Sequence, residues 1–156
     1  MKILGIDPGT ASTGYGIIKS NRGNLELVEY GCIETSKKDN PEARLAEIYR
    51  DLIRLIKKHR PRIVAVESIF FFKNLKTAVS VAQARGFILL CAAQHKIRLL
   101  EFSPLQIKMS LTNYGRAEKK QVQYMVQKLL NLKTIPKPDD SADALAVAIC
   151  ASNRSL

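Results

Sequence analysis

At 156 residues the chain has the length of one domain, taken as residues 1–156, and is short for two. A hydrophobic fraction of 46% excludes a disordered chain, and no apolar run reaches the length of a membrane span. The excess of 25 Lys and Arg over 14 Asp and Glu gives +11 at pH 7, which points to a polyanionic partner, nucleic acid first among them. The plainer alternative is a basic surface kept for solubility.

The N-terminus turns polar at Asp7, too early for a secretory signal. Lys2–Asp7 is a short apolar run stopped by Pro8-Gly9, the pattern of a buried strand. Gly14–Lys19 and Leu25–Ile33 are two further strands, with a hairpin turn at Asn21–Asn24. A helix is expected from Pro41 to His59, where Leu45, Ile48, Tyr49, Leu52, Ile53, Leu55 and Ile56 share one face and Pro61 stops the run. Arg62–Glu67 reads as a strand covered on both faces. A second long helix runs from Asn74 to Gln94, and its apolar stretch Phe87–Ala93 belongs in the core or in a subunit interface. Ile97–Phe102 is a fifth strand, and Ser103-Pro104 opens a short helix. Ala117–Leu130 is helical with Val122, Met125, Val126 and Leu129 inward, and a final helix runs from near Asp140 to about Ala151. The order βββαβαβαα describes an α/β protein: a five-stranded mixed sheet with helices on both faces.

Cys32, Cys91 and Cys150 lack metal-ligand spacing and read as buried free thiols in a reducing cytoplasm. His59 and His95 sit at helix ends, where C-terminal capping is favoured over catalysis. A zinc site is therefore not expected.

The acids carry more. Two buried strands end in one, Asp7 and Glu67, and a strand–helix–strand connection makes those strands parallel neighbours. Both acids then stand at the carboxyl edge of the sheet, where open α/β sheets bind ligands. Asp140 and Asp143 are three apart and share a face of the final helix. Each acid has an ordinary explanation: Asp139 or Asp140 as a helix cap, Asp7 as a turn residue, Glu67 as a salt-bridge partner. Together they are better explained by a divalent cation, because isolated buried carboxylates are costly. Oxygen ligands without His or Cys point to Mg²⁺ or Mn²⁺. A basic protein with such a cluster suits phosphodiester chemistry, with two ions about 4 Å apart. Lys119 or Lys120 would add positive charge near the phosphate. Phe70, Phe71 and Phe72 cannot all face one core, so one of them, Phe70 by preference, is expected to stack on or wedge between bases.

The segments GIDPGTASTGYGII at 5–18, VESIFFFKN at 66–74, QARG at 83–86, RAEKKQVQ at 116–123 and DDSADALAVAI at 139–149 resemble the RuvC family. These are the bacterial Holliday junction resolvases, or crossover junction endodeoxyribonucleases, and the resemblance covers essentially the whole chain. It implies a ribonuclease H-like fold and a homodimer that resolves four-way DNA junctions in recombination and repair. The cuts would be paired nicks in strands of like polarity, made in the cytoplasm in concert with a RuvA–RuvB branch-migration complex. By motif, Asp7, Glu67, Asp140 and Asp143 would hold Mg²⁺. Asp139 blurs the third position, and counting back from the DALA segment favours Asp140. Lys108 and Lys119 match the family's basic residues near the phosphate, with Lys120 beside them, and Phe70 matches its junction-probing aromatic. Many relatives carry a basic tail past the position of Leu156, whose role is then expected to be missing. An actin-like or sugar-kinase-like ATPase shares the GIDPGT pattern but needs a second domain and a second phosphate loop. A non-catalytic nucleic-acid-binding module explains the charge and leaves the converging acids unexplained. A related nuclease acting on RNA would share the fold and the metal site.

Overall fold

The computed structural model describes residues 1–68 and 75–154, with the backbone alone for residues 75–78. The expectations for Phe70, Phe71 and Phe72 lie outside the described residues. The elements are β1 (Lys2–Asp7), β2 (Ser12–Asn21), β3 (Asn24–Glu34), α1 (Pro41–His59), β4 (Ile63–Glu67) and α2 (Leu75–Gln94). They continue with β5 (Arg98–Phe102), α3 (Pro104–Thr112), α4 (Lys119–Leu129) and α5 (Asp139–Asn153).

The sheet has five strands in the order β3-β2-β1-β4-β5. β1, β2 and β3 form the antiparallel meander. The pairing Asn21↔Asn24 leaves Arg22 and Gly23 at the tip, both at positive φ, as a tight two-residue hairpin requires. β4 pairs in parallel with β1 on one side and with β5 on the other. One face of the sheet packs on α1 and α2 through Leu4, Ile6, Ile17, Val64 and Val66. The other face packs on α3, α4 and α5 through Ile3, Ile18, Ile63 and Ala65.

The helix ends follow local chemistry. Asn40 accepts from the Ala43 N–H, Pro41 takes the first helical position, and Arg60 closes α1 in the left-handed conformation. α3 opens on a reciprocal capping box between Ser103 and Gln106. It runs for nine residues, a full element beyond the two final helices of the expected order.

Four expectations need correction. The helix expected from Ala117 begins at Lys119, because Glu118 is its N-cap. Leu129 faces solvent while Gln123 is buried, so the inward face is rotated from the expected one. His59 does not cap α1: it is buried, and its Nε2 lies 3.0 Å from Glu29 on β3. His95 does lie at a helix end, with Nδ1 3.0 Å from the Cys91 carbonyl oxygen. Cys91 and Cys150 are buried as expected, but Cys32 is only half-buried.

α5 carries two of the acids, Asp140 and Asp143, and is held along its whole length. Every residue from Ala144 to Ser152 is buried. Side chains such as Leu145 and Ile149 contribute about 1.5–3 kcal/mol each by that burial, so the helix is firmly anchored. It lies on β1 and β2 because glycines there leave room for its backbone. A Cβ at Gly5 would overlap the Ala144 carbonyl oxygen, and one at Gly14 would overlap that of Asp140.

Candidate metal centre and nuclease site

The parallel pairing of β1 with β4 sets Ile6 against Val66. Asp7 and Glu67 therefore follow one another across two adjacent strand ends, at the carboxyl edge where the sequence placed them. The first turn of α5 brings Asp140 to the same edge, because Gly14, the partner of Asp7 across β1 and β2, admits the Asp140 backbone. Asp143 lies one turn further along α5. Carboxylate oxygens of Asp7, Asp140 and Asp143 lie within 4.8 Å of one another. Asp139 stands outside this group. It does not cap α5 either: Pro138 occupies the N-cap, and Asp139 is the first helical residue.

Glu67 joins electrostatically. Its charge and those of Asp143 and Asp140 act on Asp7. Asp7 is pushed up to about 8, by burial first and then by these three neighbours, with Lys119 opposing. Glu67 is raised by burial and by Asp143, against Lys119 and Lys108. Asp143 is raised by burial, against its hydrogen bond from Lys119. Burial works against the Lys119 ammonium, but its bond to Asp143 and the surrounding carboxylates outweigh that, so its pKa is raised. Lys119 Nζ donates to Asp143 Oδ2 at 2.8 Å.

Glu67, Lys108, Lys119 and Asp143 line a cavity of about 190 Å³. Ile107, Val122 and Ala146 form its apolar wall. The structure thus gathers Asp7, Glu67, Asp140, Asp143, Lys108 and Lys119. It does not bring Lys120 to them: that residue lines a separate groove with Tyr114 and Tyr124. The part that sequence reasoning missed is the pairing of Lys119 with both Asp139 and Asp143, far along the chain from it. Its signal, two acids four apart on one helix, becomes readable only once α4 is seen beside α5.

The donor set fits a hard divalent cation. It is all carboxylate, without His or Cys, and it is crowded and half-buried. Among the described residues, the Lys119 and Lys108 ammonium groups act on it from the positive side.

This crowding predicts a pH dependence for the metal-free chain. Asp7 has an ordinary pKa of 3.8 and about 8 when folded, so the folded state holds its proton more tightly. The associated stability is complete below about pH 4 and is lost as pH rises through about 8. At about 1.4 kcal/mol per pH unit separating the two values, the loss reaches several kcal/mol. Melting in a chelator should fall steadily between pH 5 and 8.5, Asp7→Asn should flatten the profile, and Mg²⁺ should restore stability at the upper end. A flat wild-type profile would refute the crowding.

The family model for "Crossover junction endodeoxyribonuclease RuvC" matches residues 3–151. The chain belongs to the RuvC family. It is 54% identical over 150 residues to the RuvC of Syntrophomonas wolfei, spanning 96% of this chain and 87% of that one. It is 51% identical over 153 residues to the RuvC of Fusobacterium nucleatum, spanning 98% and 80%. Among solved structures, Thermus thermophilus RuvC in complex with a Holliday junction substrate superposes with a TM-score of 0.94 at 31% identity. That match covers 99% of this chain and 94% of the other. The mixed sheet with helices on both faces is the RuvC form of the ribonuclease H-like fold. No described helix is long and apolar enough to cross a membrane.

Proposed function

We propose that this chain is a single nuclease domain that resolves four-way DNA junctions by metal-dependent hydrolysis of phosphodiesters, making paired nicks in strands of like polarity. The observation that carries the reading is the convergence of Asp7, Glu67, Asp140 and Asp143 beside Lys119 on a chain of net charge +11. Magnesium, with manganese as the alternative and two ions per site, supplies when bound a Lewis acid that activates water and offsets charge on the phosphate. Asp7, Asp140 and Asp143 would hold it, with Glu67 completing the set. Lys119 and Lys108 offer ammonium groups to the phosphate oxygens, where charge grows in the transition state. The Ile107, Val122 and Ala146 wall restricts water, which strengthens these interactions. Lys120 contacts the DNA backbone from its own groove.

Selectivity for junctions is assigned to Phe70, acting as a wedge at the branch point. Phe70→Ala should spare duplex affinity and slow cleavage of intact junctions. The defect should shrink on junctions with unpaired central bases, where less unstacking is needed. An undiminished rate on intact junctions would make Phe70 a packing residue.

The active form is a two-fold homodimer, matching two acid clusters to two strands of like polarity. α2 supplies the surface, on which the apolar side chains of Leu90, 51% exposed, and Val79, 67% exposed, would be covered by the partner. Leu90→Asp should give a monomer by sedimentation and uncouple the two nicks. A monomer that still makes paired nicks would refute the dimer. The enzyme is placed in the cytoplasm, working with a RuvA–RuvB branch-migration complex.

The test of the function is a substrate panel of four-way junctions, linear duplexes and RNA–DNA hybrids, with and without Mg²⁺. Cleavage confined to junctions with Mg²⁺ is expected. Preferential cutting of hybrids would make the chain a nuclease acting on RNA, and hydrolysis of nucleotides without DNA would support the ATPase instead.

A further inference from the structure

Lys119 stands between two carboxylates with different roles. Its Nζ is 2.8 Å from Asp143 Oδ2, inside the acid cluster, and 3.7 Å from Asp139 Oδ2, outside it. Asp139 and Asp143 are four apart on α5, so they share one face and Lys119 reaches both without any movement of helices. Asp139 is itself held in place. Lys137 Nζ donates to its Oδ1 at 2.8 Å.

A divalent cation bound by the cluster draws on the same Asp143 carboxylate that Lys119 contacts through Oδ2, and its charge repels the ammonium. That repulsion favours moving Lys119 to a carboxylate outside the cluster. Release into solvent would take a useful charge away from the phosphate.

We propose that Asp139 is a positioning residue: it is the second seat of Lys119, which passes to it from Asp143 when a divalent cation binds, freeing the metal site and keeping the ammonium beside it. The proposal rests on the metal-centre reading. Lys137, on Asp139 Oδ1, leaves Oδ2 to receive Lys119. Asp139 thereby eases metal binding through Lys119, not as a ligand.

The test is Mn²⁺ affinity of the DNA-free protein, measured by electron paramagnetic resonance or calorimetry, in a double-mutant cycle. Asp139→Asn should weaken Mn²⁺ binding about fivefold or more, the size expected when two groups in one network lose their coupling. Asp139→Glu should largely restore it. Lys119→Met should tighten binding, and adding Asp139→Asn to it should change affinity by less than about twofold. An equal loss from Asp139→Asn in both backgrounds would overturn the proposal, because Asp139 would then act only as a nearby negative charge. No change from Asp139→Asn in the wild-type background would overturn it as well. Wild-type protein that binds no Mn²⁺, or Asp7→Asn protein that binds it normally, would overturn the metal-centre reading and this proposal with it.

Discussion

Replacing Asp7, Glu67, Asp140 or Asp143 by the matching amide should nearly abolish junction cleavage, with losses on the order of 10³-fold or more, the scale of removing a group that stabilises the transition state. Each change keeps the shape and removes one negative charge from a site that holds a cation. Junction binding in Ca²⁺ should survive, and without metal it should tighten, because less negative charge then faces the DNA. Asp7→Asn should also melt higher than wild type in a chelator near pH 8, since burial and three carboxylate neighbours penalise the Asp7 charge. Cleavage assays, gel shifts and melting curves on the same variants separate this account from a purely structural role. A structural role predicts lost stability, with activity falling only in step with the folded fraction.

Gly14→Ala should be nearly as damaging without touching a carboxylate. The added Cβ would overlap the Asp140 carbonyl oxygen and crowd its carbonyl carbon. A helix buried from Ala144 to Ser152 gives this backbone little freedom to move aside. The start of α5 must lift from β2, carrying Asp140 away from Asp7. Overpacking of this kind costs about 1–3 kcal/mol, and displacing a catalytic group by about 1 Å can cost roughly 100-fold in rate. The expected result is a folded, less stable enzyme that binds junctions and cuts them about 100-fold more slowly. Unchanged cleavage would mean that the site does not depend on the close approach of α5.

Much of this arrangement is legible in the sequence because its determinants are local. β1 ends at Asp7 and α1 runs from Pro41 to His59 as expected, since Pro8-Gly9 stops the strand and Asn40, Pro41 and Pro61 bracket the helix. The meeting of Asp7 with Glu67 is only partly local: the β3–α1–β4 crossover gives β4 the direction of β1, but their adjacency is set by the sheet order β3-β2-β1-β4-β5. The misread parts depend on contacts far apart in the chain. His59 suits a capping role until its helix packs against β3 and Glu29, 30 residues away, becomes its partner. Gln123 is polar at a position that local periodicity turns outward, yet the packing of α4 buries it. Asp139 resembles a helix cap in a Pro-Asp-Asp sequence, but Pro138 takes that position and leaves Asp139 to Lys119 and Lys137.

Whether the acid cluster is a metal centre for paired cutting of junctions is tested most directly by mapping nicks on an end-labelled synthetic four-way junction. The measurement compares Mg²⁺ with a chelator, for wild-type and Asp7→Asn enzyme. Two symmetric nicks in strands of like polarity are predicted for the wild type in Mg²⁺, and none in the chelator or with the folded variant. Nicks made in the chelator, or by Asp7→Asn at the wild-type rate, would contradict the metal centre.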